Sequence, residues 1–355
     1  MPTQLELFKA TLDHEPHNQF LFHAGFTADL ERRFRQHTGI GEGVNILDHF
    51  GLYRPISVEM KPPADKRNPD FSRYYEDIDM PDGSYIDANG TLHVPGSMYH
   101  FTHYVSPLRN AQSLQDIEEF TYPHVTGYTD GHMLDLVGEI HANGLVAVSS
   151  LTHMYEDAWQ IRGYEEFLTD IYEQIELCEY ILDRIKDRNM QKAIAAADAG
   201  VDFIHTGDDV ANQNALMFSL EHWRTLMKPR WAEVYAAAKK IKPDIKIWYH
   251  SDGNIEAIVP ELIEIGVDIL NPVQPECVNV EELKKYYGNK LVFDGTIGTQ
   301  TTMPFGTPDE VRSTIRKRIK TLGADGGLIL SPTHVLEPEV PLENIMVFIE
   351  EARNY

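Results

Sequence analysis

Short apolar runs alternate with longer amphipathic stretches from residue 145 onward, a pattern typical of repeated βα units. The runs predicted to be strands are LVAVSS (145–150), VDFIHT (201–206), IKIWYH (245–250), VDIL (267–270), LVFD (291–294) and GLILS (327–331). Helical periodicity falls between and after them, at about 164–187, 219–240, 255–265, 280–287, 307–322 and 342–354. The pattern therefore predicts six parallel strands covered by helices.

Two further β-rich runs lie upstream, at residues 19–24 and 55–59, and bring the number of predicted strands to eight. Eight such strands close most economically into a (β/α)8 barrel, the TIM barrel of the α/β class. An open doubly wound sheet is the alternative, but no glycine-rich turn follows a first strand to mark a dinucleotide site. Because no repeat or linker divides the chain, residues 1–355 are predicted to form a single domain.

Residues 60–125 interrupt the alternation, because they are rich in Pro, Tyr, Asp and His. The stretch SYIDANGTLHV contains an Ala-Asn-Gly step that is typical of a hairpin turn between two strands. We predict that this region is an insertion that covers the barrel mouth. Its candidates for substrate contact are His93, His100 and His103, with ordinary exposed loop residues as the alternative.

The formal net charge is −24, from 55 acidic and 31 basic residues, which predicts repulsion of nucleic acid and of anionic membranes. No apolar run reaches the roughly 20 residues that a membrane-spanning helix needs. The amino terminus lacks the layout of a signal peptide, and two distant cysteines do not form a disulfide framework. We therefore expect a cytoplasmic protein without nucleic-acid or membrane partners.

The loops after the predicted strands are rich in polar side chains, and in a barrel the carboxyl ends of the strands converge on one axis. The candidates for catalysis are His153, Glu156, Asp208 and Asp209. The candidates for substrate binding are Trp159, Arg162, Asn212, Gln274 and Asp294. For the two neighbouring aspartates the alternative is capping of the next helix, and for the His-Glu pair it is a hydrogen bond to a neighbouring loop.

The same loops carry side chains that bind a divalent metal such as zinc, namely His250, Asp252, Cys277 and His334. Catalytic zinc commonly takes three protein ligands and leaves one position open, so three of these four would suffice. A His-x-Asp tripeptide is weak evidence by itself, and an inert, half-buried thiol is the alternative for the cysteine. We predict that His250, Cys277 and His334 share one ion, with Asp252 as a further candidate ligand.

Several segments resemble the uroporphyrinogen decarboxylase-like superfamily, which includes the zinc-dependent, corrinoid-linked methyltransferases of anaerobes. They are ELFKATLDHEPH near the start, EDAWQIRGYEEFLTDIYE (156–173), VDFIHTGDDVANQNALMFSLEHWRTLMKPR (201–230), WYHSDGNI (248–255) and SPTHVLEPEVPLENI (331–345). Together they span most of the chain. True uroporphyrinogen decarboxylases differ near the amino terminus, where an Arg-Gln-Ala-Gly-Arg motif faces the carboxylates of the porphyrinogen. This chain has FHAGFTADLERRFRQ instead, so porphyrinogen is a poor substrate for a protein of charge −24.

The methyltransferase branch is similar at the strand-end histidine, where its members carry His-x-Cys and a later Cys as zinc ligands. Here His250 matches the histidine, Asp252 takes the place of the first cysteine, and His334 lies in the loop that supplies the last one. The resemblance therefore implies a metal site with fewer thiolates, in which Cys277 restores one sulfur ligand.

The resemblance implies an enzyme that moves a methyl group between a small substrate and the cobalt of a corrinoid. The substrate would be a methyl ether, a methoxylated aromatic or a thiol, activated by zinc as a Lewis acid, and the cobalamin-type corrinoid would be carried on a separate protein. Tyrosines of the insertion are compatible with an aromatic substrate: Tyr74, Tyr75, Tyr85 and Tyr99. The alternatives are a metal-free decarboxylase of a smaller acid and a non-catalytic binding protein. A homodimer is compatible with the sequence.

Overall fold

The computed structural model describes residues 2–67, 69–96 and 102–355. The strands are β1 (Ile56–Ser57), β2 (Tyr85–Ile86), β3 (Leu92–Pro95), β4 (Thr102–Val105), β5 (Ala147–Ser150), β6 (Phe203–Gly207), β7 (Lys246–His250), β8 (Ile269–Asn271), β9 (Val292–Asp294) and β10 (Leu328–Ile329). The first helices are α1 (Gln4–Leu12), α2 (Ala28–Thr38), α3 (Ile46–Phe50), α4 (Leu114–Glu118), α5 (Met133–Ala142), α6 (Met154–Arg162), α7 (Tyr164–Glu173) and α8 (Ile175–Ala199). The others are α9 (Leu220–His222), α10 (Lys228–Ile241), α11 (Val259–Glu264), α12 (Val280–Tyr287), α13 (Thr302–Phe305), α14 (Pro308–Leu322) and α15 (Leu342–Asn354).

Seven strands form one sheet in the order β1-β5-β6-β7-β8-β9-β10, and every adjacent pair is parallel. The segment around Phe22 closes this sheet on itself. Leu330 N donates to Leu21 O at 2.9 Å and His23 N donates to Leu330 O at 3.1 Å, while Tyr53 N donates to Phe22 O at 2.7 Å on the other side. The predicted α/β barrel is confirmed, and its eighth position is a short extended segment held by these few bonds.

The barrel interior is filled by inward side chains of alternate strand residues. Val146, Val148, Phe203, Ile269, Val292 and Ile329 belong to this inner cluster. Helix α1 closes the amino-terminal end, because its Phe8 ring lies 5.4 Å from Phe203 and 6.2 Å from Tyr53. With the amino-terminal end filled by apolar side chains, the polar groups of the interior lie at the carboxyl ends of the strands.

The helices of the carboxyl-terminal half lie close to the predicted ranges. The range 164–187 is two helices, α7 and α8, which meet at Gln174, and α8 continues to residue 199. The range 219–240 contains a π-helical turn, Trp223–Met227, directly before Pro229. Proline has no N–H to donate to the preceding turn, which accounts for the irregular turn at this position. Helices α1 to α6 were not predicted from periodicity.

The insertion forms a three-stranded antiparallel sheet, β2-β3-β4. The predicted hairpin is present, with Tyr85 opposite His93, and Gly90 adopts a φ of +86° in its turn. This sheet is joined to α6 by hydrogen bonds from Thr91 Oγ1 to Gln160 O and from Leu108 N to Ile161 O. Since α6 follows β5, the insertion lies at the carboxyl-terminal end of that strand. Its role as a cover stays a prediction, and His100 and Tyr99 lie outside the described residues.

Within residues 2–67, 69–96 and 102–355, no helix combines the length and the apolar character needed to cross a bilayer.

Candidate metal centre at the barrel mouth

Strands β6 and β7 approach each other closely where they end. Gly207 stands opposite His250, and a Cβ atom at that glycine would lie 2.4 Å from the carbonyl oxygen of His250. The next residue, Asp208, donates its N–H to the same oxygen at 2.8 Å. Because glycine has no side chain, the loop that carries Asp208 and Asp209 can turn directly over the end of β7.

The structure brings Asp209, His250 and Asp252 together at this point. One ligand atom from each lies within 4.8 Å of the other two, with His250 Nε2 at 3.5 Å from Asp209 Oδ1. Asp252 N donates to Asp209 Oδ1 at 2.8 Å, and Gly253 follows with a φ of +87°. We call these three side chains the carboxylate–imidazole cluster. Two of them were predicted as metal ligands, and Asp209 was predicted as a catalytic group.

The imidazole of His250 is oriented from behind. Its Nδ1 donates to Asn271 Oδ1 at 2.8 Å. Because an amide oxygen can only accept a hydrogen bond, the proton is assigned to Nδ1, and Nε2 is left facing the carboxylates. The ring also lies nearly parallel to the indole of Trp248, with centroids 5.9 Å apart. A fixed ring with one nitrogen engaged and the other directed at two carboxylates is the usual arrangement of a metal-binding histidine.

Asp252 carries the feature that best fits a cation. Its Oδ1 is buried, and within the part of the chain that the structure describes it has no hydrogen-bond partner. Burial raises the pKa of the Asp252 carboxyl; the charge of His250 opposes this shift and that of Asp209 adds to it. A buried carboxylate oxygen without a donor is costly, and a divalent ion between Asp252, Asp209 and His250 would supply the missing partner.

His153 lies beside the cluster, with its ring 5.9 Å from that of His250. Its Nδ1 donates to Glu156 Oε2 one helical turn away. Burial opposes protonation, but the hydrogen bond and charge of Glu156, together with Asp208 and Asp209, raise the pKa of His153 to about 9. At neutral pH this pair therefore presents an imidazolium next to the carboxylates.

The side chains of the two neighbouring aspartates after β6 point in different directions. Asp208 is fully buried and accepts hydrogen bonds from Tyr155 N at 2.5 Å and from Trp231 Nε1 at 2.8 Å. Burial raises the pKa of Asp208 to about 8. Its partners lie on α6 and α10, so Asp208 joins these helices to the strand end. Asp209 is the aspartate that faces the cluster, and the catalytic role of Asp208 stays a prediction.

Asp294, predicted to bind substrate, accepts hydrogen bonds from three donors inside the barrel. It accepts from His23 Nε2 at 3.0 Å, from Ser331 Oγ at 2.8 Å and from Trp248 Nε1 at 2.9 Å. Burial opposes ionisation, but the charge and hydrogen bond of His23 lower the pKa of Asp294 below its ordinary value. Through Trp248 this carboxylate supports the ring that stacks on His250.

Sequence reasoning gave no role to His23, Trp248 or Asn271. All three occupy or end a strand at an inward position, and a polar or amphipathic residue at the last inward position of a strand is the signal that identifies such groups. The periodicity of the runs containing them indicated a strand but did not show which polar residues would meet across the barrel.

The guanidinium of Arg162, predicted to bind substrate, is buried in contacts within the protein. Its Nε lies 2.7 Å from Asp170 Oδ2, and Nη1 donates to Leu108 O at 2.6 Å. Arg162 therefore joins α6 to α7 and to the loop after β4, and its binding of substrate stays a prediction that these contacts do not support.

The other predicted substrate contacts have the following positions. The Trp159 ring meets the rings of Tyr104 and Tyr164 edge to face at 5.6 and 5.5 Å, under the small sheet. Asn212 accepts from Asn214 N at 2.8 Å with its own side chain and so shapes its own turn. Gln274 Oε1 accepts from Gly253 N at 2.6 Å, which holds the loop that carries Asp252.

Cys277 and His334 stand outside the carboxylate–imidazole cluster. Among the described residues, the group of ligand atoms within 4.8 Å of one another contains neither of them. Cys277 Sγ donates to Gln274 Oε1 at 3.4 Å, burial raises the pKa of its thiol, and His334 is exposed. The candidate metal-binding group that the structure brings together is therefore Asp209, His250 and Asp252, which is richer in oxygen than the predicted trio of His250, Cys277 and His334.

Fold and site together define a (β/α)8-barrel protein with a carboxylate–imidazole cluster at the carboxyl end of β6 and β7. Residues 147–355, more than half of the chain, match the family model described as uroporphyrinogen decarboxylase (URO-D). The chain belongs to the uroporphyrinogen decarboxylase family, and the resemblance predicted from its segments is confirmed.

Two similar proteins extend this finding. A uroporphyrinogen decarboxylase of Chlorobium phaeobacteroides is 22% identical over 183 residues, which are 51% of this chain and 50% of that protein. The chain thus spans about half the length of this curated relative. A solved structure described as a methyltransferase from Methanosarcina mazei has a TM-score of 0.66 at 17% identity and covers 99% of this chain and 98% of its own. At that identity the likeness shows that the two share a fold over nearly their whole lengths.

Proposed function

We propose that this protein is a methyltransferase that holds a zinc-type divalent ion on Asp209, His250 and Asp252 and exchanges a methyl group between a small substrate and a corrinoid. The observation that carries the proposal is the convergence of these three ligand atoms within 4.8 Å at the carboxyl end of the barrel. The buried Oδ1 of Asp252, which has no hydrogen-bond partner among the described residues, supports it independently. The fold shared with a Methanosarcina methyltransferase agrees with it.

The donor set suits a catalytic ion. One imidazole nitrogen and two carboxylate oxygens make three protein ligands, which leaves a position open for substrate, as in catalytic zinc sites. When bound, the ion supplies Lewis acidity that lowers the pKa of a substrate thiol or stabilises a departing oxygen anion. The absence of thiolate from this set makes the centre harder than one built on cysteines.

The residues of the chain then have distinct tasks. Asn271 and Trp248 fix the His250 ring, and the N–H of Asp252 fixes the Asp209 carboxylate. The His153 imidazolium, held by Glu156, provides a cationic donor beside the site for a substrate oxygen or sulfur. Trp159 and Tyr104, which pack against each other, offer aromatic surface at the edge of the insertion. We further propose that the corrinoid arrives on a separate protein, as the resemblance to corrinoid-linked methyltransferases implies; the lack of an Asp-x-His-x-x-Gly stretch in this sequence agrees with that.

Metal-free decarboxylation of a smaller acid is less well supported. That reaction needs a cation to hold the substrate carboxylate, and Arg162, the arginine considered for this task, is buried against Asp170. It also gives no reason for two carboxylates to converge on one imidazole, since like charges at that distance repel each other unless a cation lies between them.

Elemental analysis of protein purified without chelator tests the metal. We expect about one zinc-type ion per chain, and its loss in His250→Gln and Asp252→Asn, because each removes one of three ligands. His37→Gln and Asp135→Asn change the same residue types at exposed positions and should keep the ion. Metal-free wild-type protein, or variants that retain the ion, would refute the proposed centre.

Transfer is tested by mixing the metal-loaded protein with cob(I)alamin and a methoxylated aromatic, or with methylcobalamin and a small thiol, and following the cobalt absorbance. Formation or loss of methylcobalamin that depends on His250 supports the proposal. Release of carbon dioxide from an aromatic acid without corrinoid would support the decarboxylase instead.

A further inference from the structure

A cavity that is separate from the carboxylate–imidazole cluster lies next to the insertion. It has a volume of about 680 Å³ and is enclosed by the carboxyl ends of β1 and β5, by α8 and by three segments of the insertion. None of the cluster residues lines it, and neither does His153 or Glu156. Its size is within the range of about 300 to 1,000 Å³ that small-molecule sites occupy.

Cationic side chains outnumber carboxylates in the lining of this cavity, although the chain as a whole is acidic. Four cationic side chains face two carboxylates, those of Glu59 and Asp65, while the chain as a whole has 31 basic and 55 acidic residues. The cations are Lys66, Arg67, Arg188 and Lys192. Such a local reversal of sign in a concave site concentrates anions against the repulsion of the rest of the surface.

Two of the cations are fixed in the wall formed by α8. Arg188 is buried, and it donates to Asn89 Oδ1 at 3.0 Å and to Thr152 Oγ1 at 2.6 Å besides its ion pair with Asp157. Its Nε is buried and has no hydrogen-bond partner among the described residues. Lys192, one turn further along α8, donates to Ser150 O at 2.5 Å and lies 3.3 Å from Glu59. This wall is therefore preorganised, which lowers the cost of binding a ligand.

The other two cations stand on the outer wall. Lys66 contacts the hydroxyl of Tyr128 and lies 4.4 Å from the centre of its ring. Arg67 is exposed, and the structure gives it no ion pair or hydrogen bond within the described part of the chain. A guanidinium without a partner at the rim of a cavity is suited to a carboxylate, which it can bind with two parallel hydrogen bonds.

The remaining lining is largely apolar and flat, and includes Met60, Pro63, Tyr122, Pro123 and Val125. Proline and tyrosine faces favour a planar apolar body over a fully hydrated inorganic ion. We propose that this cavity is a binding site for a small organic anion, a carboxylate carried on a planar or aromatic body. Its occupant would be anchored by Arg67 and Lys66 at the rim and would lie against Tyr122 and Tyr128.

The site is distinct from the proposed methyl-transfer centre and stands whether or not that centre binds metal. The two sites are connected by consecutive residues. Thr152 lines the cavity, and the next residue, His153, stacks on His250.

Isothermal titration of the full chain with benzoate tests the proposal, with benzamide as the neutral isostere and inorganic phosphate as the small anion. We expect benzoate to bind, benzamide to bind at least about tenfold more weakly, and added salt to weaken benzoate, because one charge-assisted pair accounts for about a factor of ten. Phosphate should bind more weakly than benzoate, since it makes no use of the apolar walls.

Amino-acid substitutions test whether benzoate binds in this cavity. Lys66→Gln with Arg67→Gln should lower benzoate affinity about tenfold or more, while Lys240→Gln with Lys290→Gln, the same charge change at exposed positions remote from the cavity, should leave it unchanged. Asp252→Asn should also leave it unchanged, because that residue belongs to the metal centre. Equal binding of benzoate and benzamide, an unaffected rim variant, phosphate binding as tight as benzoate, or loss of binding in Asp252→Asn would each overturn the proposal.

Discussion

His250 Nδ1 donates to Asn271 Oδ1 at 2.8 Å, across the boundary between two neighbouring parallel strands. His250 and Asn271 are register partners at the ends of β7 and β8, so the pairing of the sheet itself brings the amide to the ring. This single contact decides which imidazole nitrogen faces the carboxylates.

We predict that Asn271→Ala lowers metal affinity by about 10- to 100-fold, because the ring loses the partner that fixes its tautomer and orientation. Competition with a chelator measures the change. Asn271→Asp keeps an acceptor oxygen and should retain most of the affinity, and Asn143→Ala, at an exposed helix end, should have no effect. Unaltered affinity in Asn271→Ala would show that the contact does not orient a ligand.

The close approach of β6 to β7 can be tested at Gly207. In Gly207→Ala the new Cβ would meet His250 O at 2.4 Å, so the strand ends must move apart, and we expect a loss of about 1–3 kcal/mol in the free energy of unfolding. Urea denaturation measures it. Gly138→Ala is the control, since its Cβ meets nothing within 4 Å and it lies in α5, where alanine should stabilise by about 0.5–1 kcal/mol. Equal effects of the two substitutions would contradict the geometry.

The His23–Asp294 pair predicts a dependence of stability on pH. The pKa of Asp294 is lowered, so its contribution is present above the ordinary carboxyl pKa of 3.8 and is lost in acid. The Asp294 charge and hydrogen bond outweigh the opposing effect of burial and raise the pKa of His23, so its contribution is complete below the ordinary value of 6.5 and is lost as the pH rises through the folded pKa. The pair is therefore most stabilising between these two values.

His23→Gln should consequently cost about 1 kcal/mol of unfolding free energy in that window and less at alkaline pH. Urea denaturation of wild type and variant at one pH inside the window and one well above it provides the comparison. His37→Gln, an exposed histidine, serves as the control. A cost that does not change with pH would mean that His23 is neutral when bound to Asp294.

The protonation of His153 depends on Glu156. In Glu156→Gln we expect the pKa of His153 to fall from about 9 toward the ordinary value of 6.5, because the variant removes both the charge and the strong acceptor. An NMR titration of the imidazole Cε1–H in metal-free protein measures it. Glu165→Gln, on the exposed face of α7, should leave the titration unchanged. A pKa that stays near 9 in Glu156→Gln would assign the shift to the aspartates alone.

Substitution of Arg162 tests whether this residue stabilises the fold or binds substrate. Arg162→Met leaves Asp170 buried without its partner, and we expect a loss of about 3–5 kcal/mol in unfolding free energy, measured in urea. Arg184→Met removes an exposed ion pair with Asp187 and should cost less than about 1 kcal/mol. A stable Arg162→Met protein with impaired ligand binding would restore the role predicted from the sequence.

The site was only partly predictable, and the misses have specific causes. His250 and Asp252 were identified because a polar tripeptide directly after a buried strand marks a barrel mouth. The choice between Asp208 and Asp209 was not available, because both follow the strand and both are carboxylates. Cys277 and His334 were predicted as ligands because their residue types bind zinc. Residue type does not show where the loop that carries a side chain lies relative to the metal site.

The alternation of apolar runs and amphipathic stretches was enough to determine the strands, most carboxyl-terminal helices and the barrel, since a parallel sheet buries whole strands and its helices bury one face. Those are local properties, encoded within a few residues of each position. The partner of His250 and the pairing of Asp294 with His23 depend on contacts between segments about 20 and about 270 residues apart. Only closure of the barrel brings such groups together, because strand register and twist, and not spacing along the chain, set which side chains meet at its mouth.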